Sequence, residues 1–106
     1  MSKTFVITGG AKGIGRCMVE FLASKGNKVY FIDNDAKTTI VVGNQLRGKG
    51  WNVHDFVGDI ADKQTLIDFA AKVLQENPDG IHCLINNACL MHGGILDGCE
   101  YEDFLY

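Results

Sequence analysis

The sequence predicts an α/β fold built on a parallel sheet, and three observations point there. Strand-like and helix-like patterns alternate along the whole chain, which is the signature of βα units with parallel strands. The run Thr4-Phe5-Val6-Ile7-Thr8-Gly9-Gly10-Ala11-Lys12-Gly13-Ile14-Gly15 carries an apolar strand into a glycine-rich turn and then a helix. A second apolar strand, Val29-Tyr30-Phe31-Ile32, ends on an acid, Asp33. A chain of 106 residues suits one domain, residues 1–106, around one core.

Each element has its own justification. Residues 4–8 form the first strand. Ile14, Cys17, Met18, Phe21 and Leu22 follow at helical spacing and predict a stripe packed on the sheet. Lys25-Gly26 supplies a cationic last turn and a terminating glycine. After the second strand, Asn34 or Asp35 caps a helix that Gly48 closes. Local propensity disagrees, because Thr38-Thr39-Ile40-Val41-Val42 is β-branched and Gly43 follows it. A crossover between parallel neighbours decides for helix. Residues 51–57 are the third strand, mixed in polarity as an edge strand can be. Asp62 caps a helix with the stripe Leu66, Phe69, Ala70, Val73 and Leu74, and Pro78 lies beyond its end. Ile81-His82-Cys83-Leu84-Ile85 is a fourth strand, apolar enough to call for cover on both faces. Residues 89–98 read as a loop and 100–105 as the first turn of another helix. Trp51 and the phenylalanines read as packing residues, and His54 and His82 as strand residues.

Composition narrows the function classes. The net charge is −3 and no basic stripe is present, which argues against nucleic acid and anionic membrane partners. The N-terminus lacks the pattern of a secretory signal and no apolar run approaches transmembrane length, so a cytoplasmic protein with no membrane partner is expected. Cys17, Cys83, Cys89 and Cys99 form no C-x-x-C pair. They read as free thiols, and no metal site is expected.

The glycine turn carries the chemistry. A pyrophosphate needs close backbone approach and several N–H donors. A helix N-terminus supplies donors and a favourable dipole, and glycine supplies the missing Cβ and the freedom for positive φ. Gly9, Gly13 and Gly15 lie where the first strand turns into the helix. Asp33 lies about 20 residues on, where an acid accepts hydrogen bonds from an adenosine ribose diol. Strand, turn, helix, strand and acid together predict dinucleotide binding. A P-loop is excluded, because Arg16-Cys17 stands where Lys-Ser/Thr is required. A carboxylate at Asp33 repels a 2′-phosphate, so NAD is favoured over NADP. Lys12 reads either as a phosphate contact, which favours NADP, or as a solvated loop lysine.

These residues resemble the short-chain dehydrogenase/reductase family. Thr8-Gly9-Gly10-Ala11-Lys12-Gly13-Ile14-Gly15 matches its Thr-Gly-x-x-x-Gly-x-Gly turn. Asp33 matches the acid of its NAD-preferring members, Asp59-Ile60 the acid–aliphatic pair after the third strand, and Asn86-Asn87-Ala88 the Asn-Asn-Ala-Gly after the fourth. The resemblance covers essentially the whole chain. It implies a Rossmann-like, doubly wound parallel sheet of about four strands in the order 3-2-1-4. By it, Gly9, Gly13, Ile14 and Gly15 line the pyrophosphate and Asp33 holds the ribose, with Lys12 of the turn a further cofactor-binding candidate. Asp59 and Ile60 take the adenine end, and Asn87 and Ala88 approach the nicotinamide-side ribose. Asn86 is structural. Cys89 stands in place of the family glycine.

The family's catalytic set is not matched. It uses Tyr-x-x-x-Lys with an upstream Ser and a helical Asn, the tyrosine moving the proton and the lysine lowering its pKa. Here Asn34 lies four residues after Tyr30 and Leu105 four after Tyr101, and the serines are Ser2 and Ser24. His92, in the loop after Asn86-Asn87-Ala88, is the local stand-in for a general acid; the plainer reading is a solvated loop histidine. The resemblance therefore implies a domain truncated after the fourth strand. Its open edge and uncovered face favour a homo-oligomer. Three functions are compatible. One is an NAD(H)-binding protein with weak diaphorase-like reduction of dyes, quinones or flavins. The second is a non-catalytic nucleotide-sensing or interaction module, and the third a fragment of a longer NAD-dependent dehydrogenase.

Overall fold

The computed structural model describes residues 2–87. The elements are β1 Thr4–Thr8, α1 Gly13–Ser24, β2 Lys28–Asp33, α2 Ala36–Gly48, β3 Val53–Val57, α3 Lys63–Glu76 and β4 Cys83–Asn86. The strands form one four-stranded parallel sheet in the order β3-β2-β1-β4. Ala88, Cys89, His92, Cys99, the loop 89–98 and the helical turn 100–105 lie outside the described residues.

Strand alternation divides the core in two. Ile7, Phe31 and Val53 point to the face covered by α1 and α2, where Val19, Ala23, Val42 and Leu46 meet them. Val6, Tyr30 and Ile32 point to the other face, against Phe69 and Val73 of α3. The sheet is thus doubly wound. β2 is its most enclosed strand, with Val29, Tyr30, Phe31 and Ile32 all at 1% exposure or less.

Helix α2 forms against its local propensity. Asp35 is the N-cap, and its Oδ1 accepts from Thr38 N at 3.1 Å. Thr39, Val42, Gly43 and Leu46 bury one face at helical spacing. A Cβ on Gly43 would strike the Asp55 side chain, so the glycine that argued for strand lets α2 approach β3. Arg47 then pairs with Asp55. The left-handed residue beyond α2 is Gly50, φ +83°, and not Gly48.

Four expectations are corrected. The stripe of α1 packs only in part: Met18 and Leu22 are half-buried against the core, but Gly15, Val19 and Ala23 are the buried residues, while Ile14 is 73% and Phe21 61% exposed and Cys17 is also exposed. Small residues win that face because they let the helix backbone lie close to the sheet. Phe21 is accordingly no core residue; Lys25 Nζ sits 5.4 Å from its ring centroid. On α3, Phe69 and Val73 are buried but Leu74 is 55% exposed. β4 is not enclosed either, with Leu84 60% exposed. β3 starts at Val53 instead of 51, because Trp51 lies beside the core before the ladder begins.

The two strand histidines have definite partners. His82 Nδ1 accepts from Thr4 N at 2.9 Å, which fixes the start of β4 against β1. His54 stacks on Tyr30 with ring centroids 4.6 Å apart. Burial holds the His54 imidazole below its usual pKa, opposed by Glu76 and reinforced by Lys28, Lys72 and Arg47. The Tyr30 hydroxyl donates to Glu76 Oε1 at 2.6 Å and accepts from Asn77 Nδ2 at 3.1 Å. Burial and the Glu76 bond push its pKa up to about 12.

Thr39 is fully buried and, among the described residues, its Oγ1 has no hydrogen-bond partner. Thr39→Val replaces that hydroxyl with a methyl of similar shape. The substitution is expected to stabilise the protein by about 1 kcal/mol, read as a rise in the urea midpoint at unchanged slope.

Candidate functional site

The site is built where β1 ends. Gly9 and Gly13 adopt φ +70° and +58°, the left-handed region that favours glycine. Between them the turn is tied to β2 at two points. Gly9 N donates to Ile32 O at 2.8 Å, and Ala11 N donates to Asp33 Oδ2 at 3.1 Å. Gly10 is buried against β2, where an added Cβ would lie 2.5 Å from Phe31 Cβ. Gly10, which sequence reasoning left without a role, seats the turn on the sheet.

Among the described residues, no side chain claims the first amides of helix α1. Lys12 is the N-cap, extended at φ −141° and ψ 159°, and makes no side-chain cap. The first turn of a helix leaves its N–H groups without intrahelical partners, and here Gly13 and Ile14 are exposed. Gly15 is buried beneath them. A Cβ there would collide with the Gly9 carbonyl and lie 2.7 Å from Asn87 Nδ2.

β4 closes the other side. Thr8 Oγ1 donates to Asn86 Oδ1 and accepts from Asn87 N, both at 2.9 Å. Asn87 Nδ2 donates to Gly9 O at 3.1 Å. Asn86 thus ties β4 to β1. The side chain of Asn87 clamps the glycine turn, a task its position in the sequence did not announce.

Asp33 ends β2 half-buried, with Oδ2 on Ala11 N and Oδ1 accepting from Asp35 N at 3.1 Å. Its carbonyl accepts from Gly58 N at 2.9 Å. The turn and Asp33 therefore share one end of the sheet, outside the strand C-termini, where open α/β sheets place ligands. Asp59 follows Gly58 and is exposed, its Oδ1 accepting from Ala61 N at 2.9 Å. Ile60 is 8% exposed, its side chain in the α3-side core with Val6 and Ile32.

Lys12 is exposed, and its Nζ lies 3.3 Å from Asp35 Oδ2. Hydrogen bonds from Thr38 and Lys12 hold the Asp35 carboxyl below the usual carboxylate range. The structure brings Gly9, Lys12, Gly13, Ile14, Gly15, Asp33 and Asn87 around one turn, while Asp59 and Ile60 sit on the neighbouring β3–α3 loop. Ala88 and the alternative acid His92 lie outside the described residues.

Comparison with known proteins fits this arrangement. The short chain dehydrogenase family model matches residues 3–104. The chain belongs to the short-chain dehydrogenase family. An uncharacterized oxidoreductase of Thermotoga maritima is 32% identical over 89 residues, covering 84% of this chain and 34% of that protein. Human retinol dehydrogenase 13 is 30% identical over 105 residues, covering 94% of this chain and 31% of its own length. Among solved structures, a short-chain dehydrogenase/reductase from Burkholderia phymatum in complex with NAD superposes with a TM-score of 0.79. It is 31% identical and covers 96% of this chain and 36% of the other. A metagenomic short-chain oxidoreductase in complex with NADP gives 0.77 at 26% identity, covering 99% and 49%. The chain thus spans about a third of the length of the curated relatives it matches. The four-stranded order and the glycine turn are those of the short-chain dehydrogenase fold.

The roles of two turn glycines separate by experiment. Gly15→Ala drives a methyl into the Gly9 carbonyl and is expected to cost about 1–3 kcal/mol, the cost of overpacking. Gly13 has open space around it, so Gly13→Ala meets only backbone strain, about 1–2 kcal/mol. Urea denaturation is expected to rank Gly15→Ala as the more damaging change.

Proposed function

We propose that this chain binds a nicotinamide dinucleotide at the β1–α1 turn, with NAD(H) preferred over NADP(H). The observation that carries the reading is the start of α1, uncapped by any side chain among the described residues and next to a carboxylate pinned at the end of β2. The turn fits the group: Gly13 has no Cβ and nothing within 4 Å of where one would stand. The first amides of α1 and its dipole suit a pyrophosphate. The NAD and NADP complexes of the two structural relatives support the same reading.

In this reading Gly9, Gly13, Ile14 and Gly15 line the pyrophosphate, with the amides of the first turn of α1 as donors and Gly9, its own N held by Ile32 O, shaping the turn. Asp33 keeps free lone pairs for the ribose hydroxyls, since each carboxylate oxygen accepts more than one bond. Asp59 and Ile60 border the adenine end. Asn87, with Ala88, borders the nicotinamide-side ribose. The carboxylate of Asp33 disfavours a 2′-phosphate.

When bound, the dinucleotide supplies hydride-transfer chemistry. These 106 residues contain no Tyr-x-x-x-Lys, because Asn34 follows Tyr30 and Leu105 follows Tyr101 at that spacing. Reduction that needs little help from a placed acid, such as that of dyes, quinones or flavins, is the activity we assign to them. The exposed free thiols Cys17 and Cys83 suit a reducing, cytoplasmic setting. Among the described residues no helix is long and apolar enough to cross a membrane.

A second reading, an interaction module completed by another chain or by a second copy, is favoured by one specific observation. Apolar surface flanks β4 on both faces: Ile14, Phe21 and Ile85 on one, Leu66, Leu74 and Leu84 on the other. Such surface next to a strand edge favours association. Homo-oligomerisation through it is part of the proposal.

Calorimetric titration is expected to show NADH binding, with NADPH at least about tenfold weaker, a difference of about 1.4 kcal/mol. Asp33→Ala is expected to weaken NADH. Dye reduction by NADH is expected to be slow but measurable and carbonyl reduction to be at background. Failure of NADH to bind contradicts the reading. In sedimentation equilibrium the chain is expected to self-associate, and Leu84→Glu to shift it toward monomer; a monomer at high concentration contradicts the association.

A further inference from the structure

Two helices begin at the candidate site, and their N-cap residues face each other as an ion pair. Lys12 caps α1 and Asp35 caps α2. Lys12 Nζ lies 3.3 Å from Asp35 Oδ2, with side-chain exposures of 63% and 34%. The acid is the anchored partner. Its Oδ1 accepts from Thr38 N at 3.1 Å, and its own N donates to Asp33 Oδ1 at 3.1 Å. The other oxygen of Asp33 takes Ala11 N, one residue before Lys12. Lys12, Asp33 and Asp35 therefore belong to one connected loop pair, in which a flexible cation is drawn to a fixed anion.

We propose that Asp35 is a specificity-determining residue. By holding Lys12 in an ion pair, it withholds from a 2′-phosphate the lysine of the glycine turn and so enforces selection of NAD(H). This inference rests on the dinucleotide reading above and adds the residue that settles the contest between Lys12 and Asp33. Asp33 faces the ribose with one negative charge, and on its own leaves Lys12 free to offset that charge. A lysine is a mobile point charge well suited to a phosphate. With Asp35 present, a 2′-phosphate meets the Asp33 carboxylate and a cation already engaged.

The arrangement also gives Asp35 a second task that keeps it in place. Its carboxylate is the side-chain cap of α2, the helix whose β-branched first half most needs one. A residue that caps as well but carries no charge would keep the helix and release the lysine.

Asp35→Asn and Asp35→Ser are such residues, since both side chains cap helices well. The test compares the wild type, Asp35→Asn, Asp35→Ser, Lys12→Ala and the Lys12→Ala/Asp35→Asn pair. Each is titrated with NADH and NADPH by calorimetry at low salt, with circular dichroism melts to check the fold. Both single Asp35 variants are expected to bind NADPH about two- to fivefold tighter, in the range a freed surface charge supplies. Their NADH affinity is expected to change less than about twofold, because NADH carries no 2′-phosphate for the lysine to meet. The gain is expected to vanish in the double variant and to shrink as salt rises. Three outcomes overturn the proposal. One is NADH binding with unchanged NADPH affinity in folded Asp35 variants. Another is a gain that survives removal of Lys12, which assigns the effect to the acid's own charge. A third is no binding of either nucleotide by the wild type, which overturns the dinucleotide reading and this inference with it.

Discussion

The structure depends on how closely the first turn of α1 approaches the end of β1. Gly15 lies so near the Gly9 carbonyl that no Cβ fits between them. That approach sets the turn, and three hydrogen bonds hold it: Gly9 N to Ile32 O, Ala11 N to Asp33 and Asn87 Nδ2 to Gly9 O. The bonds come from both neighbours of β1, so the turn is fixed from each side of the central strand. Its rigidity is what allows main-chain amides to serve as a binding surface, because donors already in place need no ordering when a ligand arrives.

The same constraint explains which face of α1 is buried. Hydrophobic spacing pointed to Ile14, Cys17, Met18, Phe21 and Leu22 as the packing stripe; Met18 and Leu22 do pack beside the core, yet Gly15, Val19 and Ala23 take its centre. Periodicity locates a helix but ranks faces by apolar size. Here close backbone approach outranks size, and the larger side chains are left beside β4. Helix α2 was legible for a different reason. Its β-branched segment argued for strand, and the need for a crossover between parallel neighbours argued more strongly for helix. Asp35 as cap and Asp33 at the strand end were readable because each is a short polar residue at an element boundary, where backbone amides need acceptors.

Polar partnerships between distant segments were not legible. Nothing in the order of residues announces that the Tyr30 hydroxyl meets Glu76, or that His82 accepts from Thr4. Such pairs depend on strand register and helix rotation, which a single sequence does not specify. The clamp from Asn87 to Gly9 belongs to the same class. It joins the last described residue to the first turn, and it requires β4 to lie beside β1, an order that came from the family resemblance alone.

The central claim is that the glycine turn is a rigid cradle of main-chain donors for a pyrophosphate. Amide chemical shifts followed during titration with NADH test it most directly. The account predicts that the largest shifts cluster at Gly9, Gly13, Ile14 and Gly15, with Asp33 following, and that the signals of α2's C-terminal half stay still. Saturable NADH binding with its shifts centred elsewhere, for instance on the apolar surface around Phe21 and Leu84, would contradict it.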